Sequence, residues 1–64
     1  MNNLLNRKVL VLNSSYEPLM VVNARRAILL VLTDKVDILV NYSEFIKSTY
    51  SRFHLPSVIL LKKY

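Results

Sequence analysis

The sequence predicts an α+β fold, a small single-layer sheet of about three strands packed on one main helix, with a βαβ unit as one arrangement. Three observations predict it. Lys8 to Asn13 contains an unbroken run of Val and Leu bounded by turn formers. Ala24, Ala27, Ile28, Val31 and Leu32 recur at the spacing of one helical stripe. Two further short apolar runs, Val36 to Val40 and Ser57 to Leu61, stand downstream with turn residues or proline beside them.

Taken in order, the run Lys8 to Asn13 lacks polar alternation, which suits a central strand covered on both faces better than an edge strand. Asn13-Ser14-Ser15, with Glu17-Pro18, then supplies a loop. Asn23 suits a helix N-cap, because its side-chain oxygen can accept a hydrogen bond from an otherwise unpaired backbone N–H. The helix runs from Ala24 to about Asp34, where Asp34 or Lys35 takes the left-handed position that ends it. Leu29 and Leu30 fall off the stripe, so the helix is apolar over more than half its circumference and one sheet face cannot cover it. Val36 to Val40 reads as the second strand. Ser57 to Leu61 reads as the third, begun after Pro56, where no ladder donor is needed. Strand, helix and strand in this order favour a parallel pairing with a right-handed crossover, the alternative being an α+β layer with another strand order. The intervening stretch Asn41 to Leu55 is long and mixed, with a short helical turn expected at Ser43 to Lys47 and Ser43 as its cap.

Composition limits what such a domain can do. Its 64 residues are fewer than half of those usual for one domain, and a chain of this size buries only about 60% of the surface its unfolded form exposes. Small domains of this kind are commonly stapled or partnered. The absence of Cys and the single His exclude a disulfide framework, a thiolate zinc site and a histidine-built metal site, which leaves partnership. With 53% hydrophobic and 20% charged residues, the chain is no solvated tail, and it carries more apolar surface than so small a core can hide. A formal charge of +5 admits a polyanion such as DNA as partner without specifying it. The apolar stretches Ala27 to Leu32 and Val58 to Leu61 are far short of the roughly 20 residues of a spanning helix, so no membrane partner is expected. Arg7 and Lys8 precede an apolar run too short for a signal peptide, and a cytoplasmic location is the default. Glycine is absent altogether, so every turn must use Asn, Asp, Ser or Pro.

Val9-Leu10-Val11-Leu12-Asn13-Ser14-Ser15-Tyr16-Glu17-Pro18-Leu19, then Val21-Val22, Arg25-Arg26-Ala27 and Leu30 to Lys35, and finally Leu55-Pro56-Ser57-Val58-Ile59 with Leu61 and Tyr64, resemble the N-terminal region of bacterial HNH endonuclease family proteins. The resemblance covers nearly the whole chain and rests on two compact motifs, L-N-S-S-Y-E-P-L and L-P-S-V-I. Asp34 stands where that family usually has Gly, and an Asp can occupy a left-handed cap at some cost. The resemblance implies a domain preceding a nuclease module whose His residues activate water and hold a divalent cation. Those residues are not among these 64: a metal-assisted phosphodiesterase needs a general base and a ligand set, which one His cannot supply. No catalytic residue, metal ligand or cofactor is therefore assigned. The chain stops at Lys62-Lys63-Tyr64 directly after an apolar strand, which reads as a boundary between a leading domain and a catalytic one.

The candidate binding residues are few. Arg25 and Arg26 occupy the first turn of the helix, where the macrodipole disfavours cations, so something should compensate: Glu17, water, or a phosphate held by guanidinium forks and free N–H groups. Lys47, Tyr50, Arg52 and His54 interleave basic and aromatic side chains in a manner suited to a sugar-phosphate backbone, although a solvated loop has the same composition. Tyr16 and Glu17 could face a ligand, while the plainer reading has them shaping the loop. Leu29 and Leu30 are the candidate partner interface. Three functions follow as expectations: an accessory domain docking on a downstream nuclease module or another subunit and aiding DNA binding, a self-associating interaction module forming a homo-oligomer, or a stand-alone basic nucleic-acid-binding module.

Overall fold

The computed structural model describes residues 4–47 and 52–62, with the backbone alone at 46, 47, 52 and 53. Among these residues a 3₁₀ turn at Leu4–Asn6 leads into strand β1 (Lys8–Leu12), followed by β2 (Pro18–Asn23), helix α1 (Ala24–Leu32), β3 (Val36–Lys47) and β4 (Arg52–Leu61). The strands lie side by side in the order β2-β1-β4-β3. β1 is antiparallel to β2 and parallel to β4, and β3 is antiparallel to β4.

The α+β class and the interior position of β1 agree with the sequence, and several finer expectations are corrected. The sheet has four described strands rather than about three, because Pro18–Asn23 pairs with β1 across a tight turn. Proline heads that strand, where its missing N–H costs no ladder bond, and so it opens β2 instead of prolonging a loop. The Val36 strand is not the neighbour of β1. β4 takes the inner position, and the path from β1 to its parallel partner contains both α1 and β3, so no simple βαβ unit forms. Residue character explains the choice: β4 ends in Val58, Ile59, Leu60 and Leu61, whereas β3 carries Asp37, Asn41, Ser43 and Glu44, which keep their contact with water at an edge. Finally, Ser43 to Lys47 is strand, not a helical turn. Phe45 opposes His54 and Lys47 opposes Arg52 in the ladder with β4, and the Tyr42 hydroxyl donates to the Lys8 carbonyl at 2.6 Å, fixing the extended chain against β1. The β3–β4 register shifts three times between Ile38 and Phe45, which erases the period of two that would have marked the strand in sequence.

The core lies between the sheet and α1. Val9, Val11, Ala24, Ala27, Val36, Leu55 and Ile59 are buried, with Leu4, Val22, Ile28, Leu30, Val31, Tyr42 and Leu61 packed around them. Val11 and Ile59 are opposed on the inner strands, and the two alanines let the helix backbone come close above the sheet. The helix is rolled relative to the expected stripe: Leu30 packs on the core, while Leu32 is 62% exposed. β1 is likewise covered by the helix on one face only. Leu10 and Leu12, on the other face, are half-buried by side chains of adjacent strands.

Both ends of α1 are capped as the sequence predicts. The Asn23 side chain accepts from the Arg26 N–H at 3.0 Å. At the other end the Asp34 N–H donates to the Val31 carbonyl and the Lys35 N–H to the Leu30 carbonyl, both at 3.0 Å, with Asp34 at φ 61°. This is a Schellman ending built on Asp where Gly is usual. Lys62 reaches the Asp34 carboxylate at 2.6 Å, joining the end of β4 to that cap.

Candidate interaction surface

The loop between β1 and β2 is organised by one side chain. Asn13 Oδ1 accepts from the Ser15 N–H at 2.9 Å, the Ser15 hydroxyl at 2.6 Å and the Glu17 N–H at 3.1 Å. The Tyr16 N–H donates to the Asn13 carbonyl, and the Asn13 N–H to the Glu17 carbonyl, both at 2.9 Å. Closing the turn in three residues puts Tyr16 at φ 70°, a conformation favoured by Gly, with its ring exposed. Glu17 is exposed at the start of β2, and its carboxylate accepts from the Ser15 hydroxyl at 3.2 Å.

Arg25 and Arg26 stand at the other end of β2, exposed on the first turn of α1. Among the described residues neither forms an ion pair, and Glu17 is not their partner. The helix start has already used donors that an anion would need: the Arg26 N–H is taken by Asn23, and the Ala24 N–H donates to the Arg7 carbonyl at 2.8 Å. The second basic group is at the far end of the β3–β4 pair. Lys47 and Arg52 oppose one another there in backbone register, but their side chains, like all of Tyr50, lie outside the described residues. His54 is exposed on β4, with its ring centroid 4.2 Å from that of Phe45. The two basic groups belong to opposite edges of the sheet, since the helix start follows β2 and the hairpin end follows β3. No cluster of His, Asp or Glu suited to a metal ion occurs among the described residues.

Sequence reasoning missed a polar tie between the chain start and β3. Arg7 places Nη2 at 2.5 Å from Glu44 Oε2 and Nη1 at 3.4 Å from Oε1, with its guanidinium carbon 5.0 Å from the centre of the Tyr42 ring. The Arg7 hydrogen bond holds the Glu44 carboxyl below its ordinary pKa, against a smaller opposing push from desolvation. The two residues are 37 positions apart, and no local signal could have joined them.

The remaining described surface carries many exposed apolar side chains. On the sheet face turned away from α1, Val21, Leu10, Val58 and Val40 form one in-register row across all four strands. Val21 is 60% and Val40 52% exposed. On the outer side of the helix Leu29 is 57% exposed, whereas Leu30 is half-buried against the core. The family model for HNH endonuclease-associated N-terminal domains matches residues 9–64, which include the helix and all of the described strands except Lys8 of β1.

The chain belongs to that family. The region that matches the HNH endonuclease-associated N-terminal domain family takes in L-N-S-S-Y-E-P-L, the helix and L-P-S-V-I, which here lie in the β1–β2 turn, α1 and the inner strand β4. Neither the curated proteins nor the solved structures yielded a match. No described helix of this family member is long and apolar enough to cross a membrane.

Proposed function

We propose that this chain is an accessory, non-catalytic domain that docks through its helix-free sheet face on the nuclease module of an HNH endonuclease-like protein. The observation that carries the reading is the row Val21, Leu10, Val58 and Val40, an aliphatic band crossing the whole sheet with nothing above it among the described residues. A sheet can leave a polar face to water, but here the free face is aliphatic, which suits it to receive a second layer. The exposed Leu29 extends this apolar character to the helix side. Arg25 and Arg26 offer charge to a nucleic acid, but two backbone donors at their helix start are already engaged.

The test is binding in trans. The 64-residue chain, mixed with a separately purified HNH nuclease module from a protein of this family, is expected to associate in calorimetry. Val40→Lys should weaken that association at least tenfold, about 1.4 kcal/mol, while leaving the melting temperature of the free chain nearly unchanged, since Val40 is already half exposed. Absence of binding, or equal binding by the variant, would remove the reading.

A further inference from the structure

The two edges of the sheet differ in a way that the docking face does not explain. β3 is blunted as an edge: its pairing shifts register three times, and it carries Asp37, Glu44 and Lys47. Such irregularities and charges are what natural sheets use to prevent pairing with another chain. β2 is less protected: its pairing with β1 slips once, at Leu19, and Pro18 heads it, but it carries no charge. Pro18-Leu19-Met20-Val21-Val22-Asn23 contains no charged residue, and Leu19, Met20 and Val21 are all exposed along it. Its outer row of N–H and C=O groups lies at the free end of the strand order.

The charges beside β2 are arranged by sign. Glu17 immediately precedes the strand, and Arg25 and Arg26 immediately follow it, all three exposed. Both arginines lack an ion-pair partner among the described residues, in a helix turn whose dipole disfavours them. An antiparallel copy of the same strand would supply what each end lacks. If a two-fold axis passes at Met20 or Val21, residue 17 of one copy comes opposite residues 23 to 25 of the other, and long arginine side chains cover the remaining offset. Each Glu17 then faces the other copy's Arg25 and Arg26, and does so twice by symmetry. A carboxylate brought to the first turn of α1 is also favourable to the helix dipole.

We infer that β2 is a self-pairing edge: two copies of this chain join β2 to β2 antiparallel, making one continuous eight-stranded sheet clamped at each end by Glu17 against Arg25 and Arg26. The uncharged strand allows the contact despite a net charge of +5 on each copy, and the unpaired backbone groups provide its hydrogen bonds. The inference does not depend on the docking reading, because the edge and the helix-free face are different surfaces and both can be occupied together.

Sedimentation velocity on the 64-residue chain over a concentration series tests it, with circular dichroism confirming that each variant is folded. The unaltered chain should show a monomer–dimer equilibrium. Met20→Lys, on the edge but not on the helix-free face, should drive it to monomer, whereas Val40→Lys should not. Glu17→Arg alone, or Arg25→Glu with Arg26→Glu, should each weaken the dimer by about tenfold or more, since each reversal turns two attractive contacts repulsive. Mixing those two variants should restore association as a heterodimer, a result that a fold lost by substitution cannot imitate. The inference is overturned if the chain stays monomeric throughout. It is overturned equally if the dimer survives Met20→Lys and is lost with Val40→Lys, which would place the contact on the sheet face. A dimer indifferent to both charge reversals, with DNA binding abolished by reversal of the arginines, would overturn it by assigning them to phosphate.

Discussion

Among the described residues of this glycine-free chain, two do a glycine's work, at different cost. Tyr16 and Asp34 both lie in the left-handed region, at φ 70° and 61°. For a non-glycine residue that conformation costs about 1–2 kcal/mol, whereas glycine reaches it freely but loses about 0.5–1 kcal/mol more backbone entropy on folding. At Asp34 the carboxylate recovers part of the cost through Lys62, which lies 2.6 Å away and whose own pKa is raised by that contact. At Tyr16 the exposed ring recovers little. Tyr16→Gly is therefore expected to stabilise the fold by about 0.5 kcal/mol, read as a higher urea midpoint at unchanged slope. A lower midpoint would show that the ring makes contacts worth more than the backbone strain.

At the scale of elements, the helix was legible and half of the sheet was not, for one physical reason. Caps are local: Asn23 is three residues from the N–H it satisfies, and the Asp34 turn closes on carbonyls of the preceding four residues, so both could be read from spacing. Asn23→Ala should cost about 1 kcal/mol in chemical denaturation, since it leaves the Arg26 N–H without its acceptor; a cost near zero would mean that water replaces the cap fully. Strand pairing is not local. β2 was hidden because Pro18 reads as part of a loop, although the run Leu19 to Val22 after it has the composition of a strand, which the register against β1 makes plain. The second half of β3 was hidden by its register shifts, and its aromatic and charged residues read as mixed sequence. The same distinction applies to the candidate site. Arg25 and Arg26 stood out because a local rule opposes them, whereas the row Val21, Leu10, Val58 and Val40 could not be assembled before the strand order was known.

At the scale of the whole molecule, the Arg7–Glu44 pair and the Tyr42 hydrogen bond to Lys8 join the start of the described chain to the β3 edge. The pair's pH dependence follows from the sign of the shift. Glu44 has its folded pKa below the ordinary 4.5, so its contribution is fully present above that value and is lost as pH falls through the lower folded one. The melting temperature should therefore fall on acidification below about pH 5, and Glu44→Gln should make that fall shallower, the two proteins converging at low pH. Parallel curves would show that the pair adds nothing to the fold. The strand order has a kinetic consequence as well. β4, the last of the described strands, is an inner one, parallel to β1, the first of them. The β1–β2 and β3–β4 pairs are near in sequence and can close early, but the ladder that unites them demands the largest loop closure in the molecule. During synthesis Val9 and Val11 must then wait, uncovered on the side of β4, until Ile59 has left the ribosome, and in that interval the aliphatic first half of the chain is open to misassembly.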